Sequence, residues 1–88
     1  MRTFIMFIRC ELDKTYEVAA SLAELEIAPQ VYSISGEYDL FCMFRLESDD
    51  DVGRYINDNI QTIPDIVATN TIVCFNPFTR DTGFNEDS

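Results

Sequence analysis

Val31-Tyr32-Ser33-Ile34-Ser35-Gly36-Glu37-Tyr38-Asp39-Leu40-Phe41-Cys42-Met43-Phe44 reads as strand, polar turn, strand. Residues 40–44 are an unbroken apolar run of strand length, followed by Arg45, which marks a buried strand rather than a helix. Residues 31–34 are mixed in polarity and fewer, as an edge strand would be. Between them Gly36, Glu37 and Asp39 make the turn. Gly36 suits a positive φ, and Asp39 can accept hydrogen bonds from backbone amides of the turn. The same residues can be plain hairpin chemistry or a small-molecule site, in which a carboxylate suits an ammonium group and backbone N–H groups suit a carboxylate.

The pattern outward from this hairpin completes a fold. Residues 4–10 alternate as a strand, with Phe4, Met6, Ile8 and Cys10 on one face and Ile5 and Phe7 on the other. Residues 14–26 carry a helical stripe of Val18, Leu22 and Leu25 flanked by Ala19 and Ala23. Asp13 is the expected cap, and Pro29 closes the segment and biases Ala28 toward extended backbone. Strands are expected over 30–35 and 39–46. The acidic run that follows is read as a helix start: Ser48 or Asp49 caps, and Asp50 and Asp51 face the positive end of the helix dipole. Val52, Ile56, Ile60 and Ile63 are the stripe of the second helix. Pro64-Asp65 turns the chain into a last strand over 66–75, rich in β-branched residues and ended by Pro77.

The order is β-α-β-β-α-β, an α+β ferredoxin-like split βαββαβ unit with an antiparallel sheet and two helices on one face. Strands one and three, apolar on both faces, are the central pair. The helices leave one sheet face bare, with Ile5, Phe7, Phe41 and Met43 on it, or their counterparts if the inward face is the other one. Burial of that face predicts pairing with a second copy, sheet to sheet. Residues 1–78 are expected to form the ligand-binding and oligomerisation domain and 79–88 a C-terminal tail or arm; from Phe78 onward the chain either frays or lays Phe78 and Phe84 on a neighbouring subunit.

Composition narrows the chemistry. Eighty-eight residues form one domain, and the net charge of −10 repels phosphate backbones and anionic membranes. Cys10, Cys42 and Cys74 are odd in number and lack CxxC spacing, which reads as free thiols in a reducing cytoplasm rather than disulfides or a zinc site. The opening residues are apolar too briefly for a signal peptide or a membrane span. The chain has no histidine, no Walker loop, no dinucleotide fingerprint and no nucleophile elbow. Lys14, the single lysine, precedes a surface helix and offers no Schiff-base site. A non-catalytic protein without metal or cofactor is expected.

Residues 31–40, together with 63–73 (Ile-Pro-Asp-Ile-Val-Ala-Thr-Asn-Thr-Ile-Val), resemble the effector-binding domain of the Lrp/AsnC transcriptional regulators, also called the domain for regulation of amino-acid metabolism. The resemblance covers residues 2–76. It implies a βαββαβ unit that dimerises sheet to sheet as a dimeric α/β-barrel-type pair, with dimers assembling into octameric or decameric rings. It implies an amino-acid effector bound between dimers beside the glycine turn. Gly36 would then give backbone contact, Asp39 would hold the amino group, and Glu37 and Tyr38 would shape the loop. Thr69, Thr71, Asn59 and Ile60 are further candidates. Because strand one begins at the first residues, the chain would be a stand-alone effector domain, sensing a ligand or binding full-length regulators without touching DNA. Two departures stand out: Asp65 replaces the family's usual glycine after the proline, and residues 11–13 lack the usual glycine before helix one.

Three rivals remain. One is a related small-molecule-binding βαββαβ module that accompanies metabolic enzymes. Another is a small dimeric α/β-barrel enzyme, monooxygenase- or isomerase-like. The third is an oligomerisation module without a ligand.

Overall fold

A computed structural model describes residues 2–47, 51–76 and 78. Strand β1 spans Arg2–Cys10, helix α1 Thr15–Ala23, β2 Gln30–Ser33, β3 Leu40–Leu46, α2 Val52–Tyr55, continued by a π-helical turn over Ile56–Ile60, and β4 Ile66–Cys74. The antiparallel sheet has the order β2-β3-β1-β4, the ferredoxin-like arrangement. The two strands apolar on both faces are the central ones, hydrogen-bonded to a neighbouring strand at each edge.

Register and burial decide which face the helices cover. Phe4, Met6 and Ile8 pair across from Phe44, Cys42 and Leu40, and all six are buried. Val18 and Leu22 of α1 and Ile56 and Ile60 of the π turn complete this core. Phe4 and Phe44 stack at 5.6 Å between ring centroids. Each such side chain, fully buried, contributes about 1.5–3 kcal/mol through lost apolar hydration. The opposite face, carrying Ile5, Phe7, Phe41 and Met43 at half burial, has no helix on it.

The sheet is open, and this corrects the expected barrel-type pairing. Strands β2 and β4 are its two edges and do not pair with each other. Closure into a barrel needs strand tilt and stagger that bring the edges together, and a twisted sheet of four strands leaves them apart.

The helices end differently from the expectation. Helix α1 stops at Ala23 rather than 26, and the chain then winds on by tighter bonds, Glu24 N–H to the Ser21 carbonyl and Leu25 N–H to the Leu22 carbonyl. Asp13 does not cap it: the cap position is Lys14, without a side-chain bond, and Asp13 sits at φ +66°. Ala28 takes φ +51° rather than extended backbone, because its N–H donates to the Leu25 carbonyl at 2.9 Å and closes the turn. Asp51 caps helix two instead of lying in its first turn, its Oδ1 accepting from the Arg54 N–H at 3.1 Å. In the π turn, Gln61 N–H reaches back to the Ile56 carbonyl. The Asn59 amide donates to the Tyr55 carbonyl and the Thr62 hydroxyl to that of Asp58, using carbonyls near the widened turn. The roles read for Ser48, Asp49, Asp50, Pro77 and the 79–88 arm fall outside the described residues; Phe78 is exposed.

Asp65 stands at φ +73°. Both positions where glycine was expected thus carry an aspartate in left-handed backbone, which aspartate tolerates better than most residues.

Candidate functional site: the β2–β3 turn

The turn between β2 and β3 is held from beneath by the end of β1. The Ile34 N–H donates to the Asp39 carbonyl at 3.0 Å, extending the hairpin ladder by one pair. The Asp39 N–H donates to the Ile8 carbonyl at 2.8 Å, tying the turn to the central strand. The pairing of β1 with β3 ends at Ile8 and Leu40, and the next two residues of β1 run on beside the turn. On the other side of β1 the register against β4 slips between Arg9 and Cys10, leaving Val67 of β4 unpaired. The Cys10 N–H donates to Asp39 Oδ2 at 2.8 Å, and Arg9 Nε donates to the Glu37 carbonyl at 3.1 Å.

The Arg9 guanidinium also lies over the Tyr38 ring, 5.4 Å from its centroid. Tyr38 leans on Phe7 at 5.7 Å, Phe7 meets Phe41 edge-on at 5.6 Å, and Phe41 meets Tyr32 at 6.0 Å. A chain of aromatic contacts therefore runs from the turn onto the bare face of the sheet. The tip is different. Gly36 has φ +112° and is exposed, with nothing within 4 Å of where a Cβ would stand. The turn is a fixed base, Glu37 to Asp39, under an open tip.

The other expected site residues are scattered. Thr69 lies across β1 from the turn, opposite Ile8, and lines a shallow recess of about 300 Å³ with Gln61, Ile66, Val67 and Ala68. Thr71 is opposite Met6, further into the sheet. Asn59 lines a second recess, of about 340 Å³, with Ile27, Leu46, Asp51 and Arg54, toward the far end of the sheet. Ile60 is wholly buried in the core. The structure thus brings Gly36, Glu37, Tyr38 and Asp39 together and leaves Asn59 and Ile60 apart from them.

Arg9 and the Cys10 amide were not among the residues singled out in the sequence. Arg9 had a visible signal, a charge that interrupts the apolar alternation of strand one near its end. The Cys10 amide had none, since a backbone donor left over where a strand pairing ends leaves no mark on residue type.

The two buried thiols, Cys10 and Cys42, are held in the protonated form. Burial pushes Cys42 up to about 11. Cys10 is raised, first by burial and then by the neighbouring Asp39 charge, against a lowering hydrogen bond from Thr15. Burial and the Glu26 charge raise Tyr55. Among the described residues no group of three or more acidic or cysteine side chains is placed to hold a metal ion. No helix there is long and apolar enough to cross a membrane.

The fold and the pinned acidic turn are those of a small β-α-β-β-α-β domain with an open four-stranded sheet. Residues 3–84 match the Lrp/AsnC ligand-binding domain family, and the chain belongs to it. It is therefore a non-catalytic ligand-binding domain of the kind found in these transcriptional regulators. It is 32% identical over 65 residues to the uncharacterised HTH-type transcriptional regulator YugG of Bacillus subtilis, covering 74% of this chain and 39% of that one. The chain spans less than half the length of the curated relatives it matches. It superposes on TTHA0845 from Thermus thermophilus with a TM-score of 0.83, at 26% identity, over 91% of this chain and all of that one. The fold also matches a feast or famine regulatory protein of M. tuberculosis complexed with L-methionine (TM-score 0.72, 21% identity, 93% of this chain and 55% of that one).

Proposed function

We propose that this chain binds a small amino-acid effector at the Gly36–Asp39 turn, where a neighbouring copy completes the site, and that effector occupancy is passed on to transcriptional control. The observation that carries the reading is the division of the turn into a base tied down by β1 and a tip left open. Rigid polar groups beside open space are what a small zwitterion needs, because little ordering entropy is then lost on binding. Gly36 offers backbone at close approach. Asp39, with Oδ2 on the Cys10 amide, keeps Oδ1 for an ammonium group. Thr69 and Thr71, on β4 across β1 from the turn, are secondary candidates. The amino-acid complex of the M. tuberculosis protein supports the ligand class.

Self-association would use the bare sheet face. Its strand positions carry no Asp or Glu, although the chain has 16 acidic residues. Arg9 and Arg45 mark its ends, and Ile5, Phe7, Phe41 and Met43 its middle. An acid-free apolar surface is where an otherwise mutually repelling chain can meet its copy. Two open sheets stacked face to face, assembled further into a ring, would bring the turn of one dimer against the next. Full-length regulators of the family are partners of the same chemistry, and the cytoplasm, where free thiols persist, is the compartment proposed.

Thermal unfolding measured with each of the twenty standard amino acids tests this reading. At least one should raise Tm, and Asp39→Asn should abolish that rise while leaving the unliganded Tm within a few degrees. A second reading is favoured by the Asp39–Cys10 bond, which makes the turn a structural joint in an oligomerisation module. No response to any amino acid would establish it instead.

A further inference from the structure

We infer that Arg9 is the carboxylate-binding residue of the effector site, which deepens the reading of the Gly36–Asp39 turn as an amino-acid site and rests on it. A chain with a net charge of −10 repels an anionic group unless a local cation receives it. The described residues offer few. Lys14 is paired with Glu17 at 3.6 Å, and Arg54 with Asp58 at 3.9 Å. Arg2 and Arg45 stand at the other end of the sheet, opposite Leu46 and Thr3. Arg9 is the cation at the hairpin end with no acidic partner among the described residues.

Its pose is that of a receptor group rather than a loose surface charge. The Nε donor is spent on the Glu37 carbonyl, and the guanidinium plane is held at the Tyr38 ring. Those two contacts fix the fork while its terminal N–H groups, the edge that grips carboxylates in bidentate fashion, make no bond to a described residue. The end of β1, just past its last pair with β3, holds both this cation and the Asp39 carboxylate at the turn, one through the Arg9 side chain and one through the Cys10 amide. Opposite charges brought to one turn match the two ends of a zwitterion.

The test compares the amino acid that most stabilises the wild-type chain, taken from the panel of twenty, with its amino alcohol, in which –CH2OH replaces the carboxylate. Titration calorimetry is run on wild type, Arg9→Lys and Arg9→Gln. The wild type should bind the amino acid about ten to a hundredfold more tightly than the alcohol. Arg9→Gln should lose that factor for the amino acid and bind the two ligands alike, and Arg9→Lys should recover part of it. If Arg9 only braces the hairpin, substitution weakens both ligands equally, and that result, or an unchanged preference in Arg9→Gln, overturns the inference. Should Arg9→Gln fold poorly, the wild-type preference together with Arg9→Lys decides: equal loss for both ligands in Arg9→Lys overturns it. A wild type that binds none of the twenty removes the amino-acid reading itself, and this inference with it.

Discussion

Asp39 makes three bonds at once: its N–H to Ile8, its C=O from Ile34 and its carboxylate from Cys10. A half-buried amide left without an acceptor costs about 1–3 kcal/mol. Asp39→Ala should therefore lower stability by that amount in urea unfolding, whereas Asp39→Asn, which keeps an acceptor oxygen, should fall by less than about 1 kcal/mol. The pair separates the structural bond from the charge. Equal losses would show that the charge matters to the fold. Cys42 gives a pH signature. Its thiol is at about 11 in the folded chain against an ordinary 9.0, so the unfolded chain releases its proton first as pH rises. Its contribution is fully present below pH 9 and is lost between pH 9 and about 11, amounting to about 2–3 kcal/mol. Unfolding free energies followed over that range should fall, and Cys42→Ser should flatten the limb. At this scale the sequence was partly legible. Gly36 announced its positive φ, and Asp39 announced a turn acceptor. That the acceptor serves the Cys10 amide depended on where the β1–β3 pairing ends, which residue types do not encode.

Elements were legible where periodicity was strong. Strands β1 and β3 and the helical stripe of Val18 and Leu22 stand where the alternation and the 3.6-residue period put them, because those positions are decided by burial alone. Ends were less so. Asp13 promised a cap and instead bends the chain at φ +66°, and Ala28 follows a local N–H bond rather than the preference set by Pro29. Such choices turn on one hydrogen bond each. The two aspartates in left-handed backbone carry a cost that glycine would not. Asp13→Gly and Asp65→Gly should each raise stability by about 0.5–1 kcal/mol in thermal melts, since the Glu11 N–H bond to residue 65 uses only its carbonyl. A loss in either case would mean that the carboxylate serves the fold. Helix two is four α-helical residues and a π turn, so its cap matters more than in a long helix. Asp51→Ala should cost about 1 kcal/mol.

The whole molecule is an open sheet with acid on the outside and an acid-free apolar face. The helices-on-one-side layering followed from two helical stripes and four strands. The openness of the sheet did not, since closure is a property of edges and twist rather than of any residue. If the bare face binds a copy, Phe41→Glu and Ile72→Glu (Ile72 is exposed and pairs with Ile5 on that face) should each weaken self-association at least about tenfold in sedimentation, with far-UV dichroism unchanged. Salt should act in the opposite sense. Raising ionic strength from about 0.01 M to about 1 M shortens screening from ~30 Å to ~3 Å and should tighten association of a chain at −10. The central claim, an effector held at the β2–β3 turn between copies, is tested most directly by amide hydrogen exchange with and without the stabilising amino acid. Protection should rise at residues 34–39 and at Arg9 and Cys10. Protection confined to the Asn59 recess, or unchanged at the turn, would contradict it.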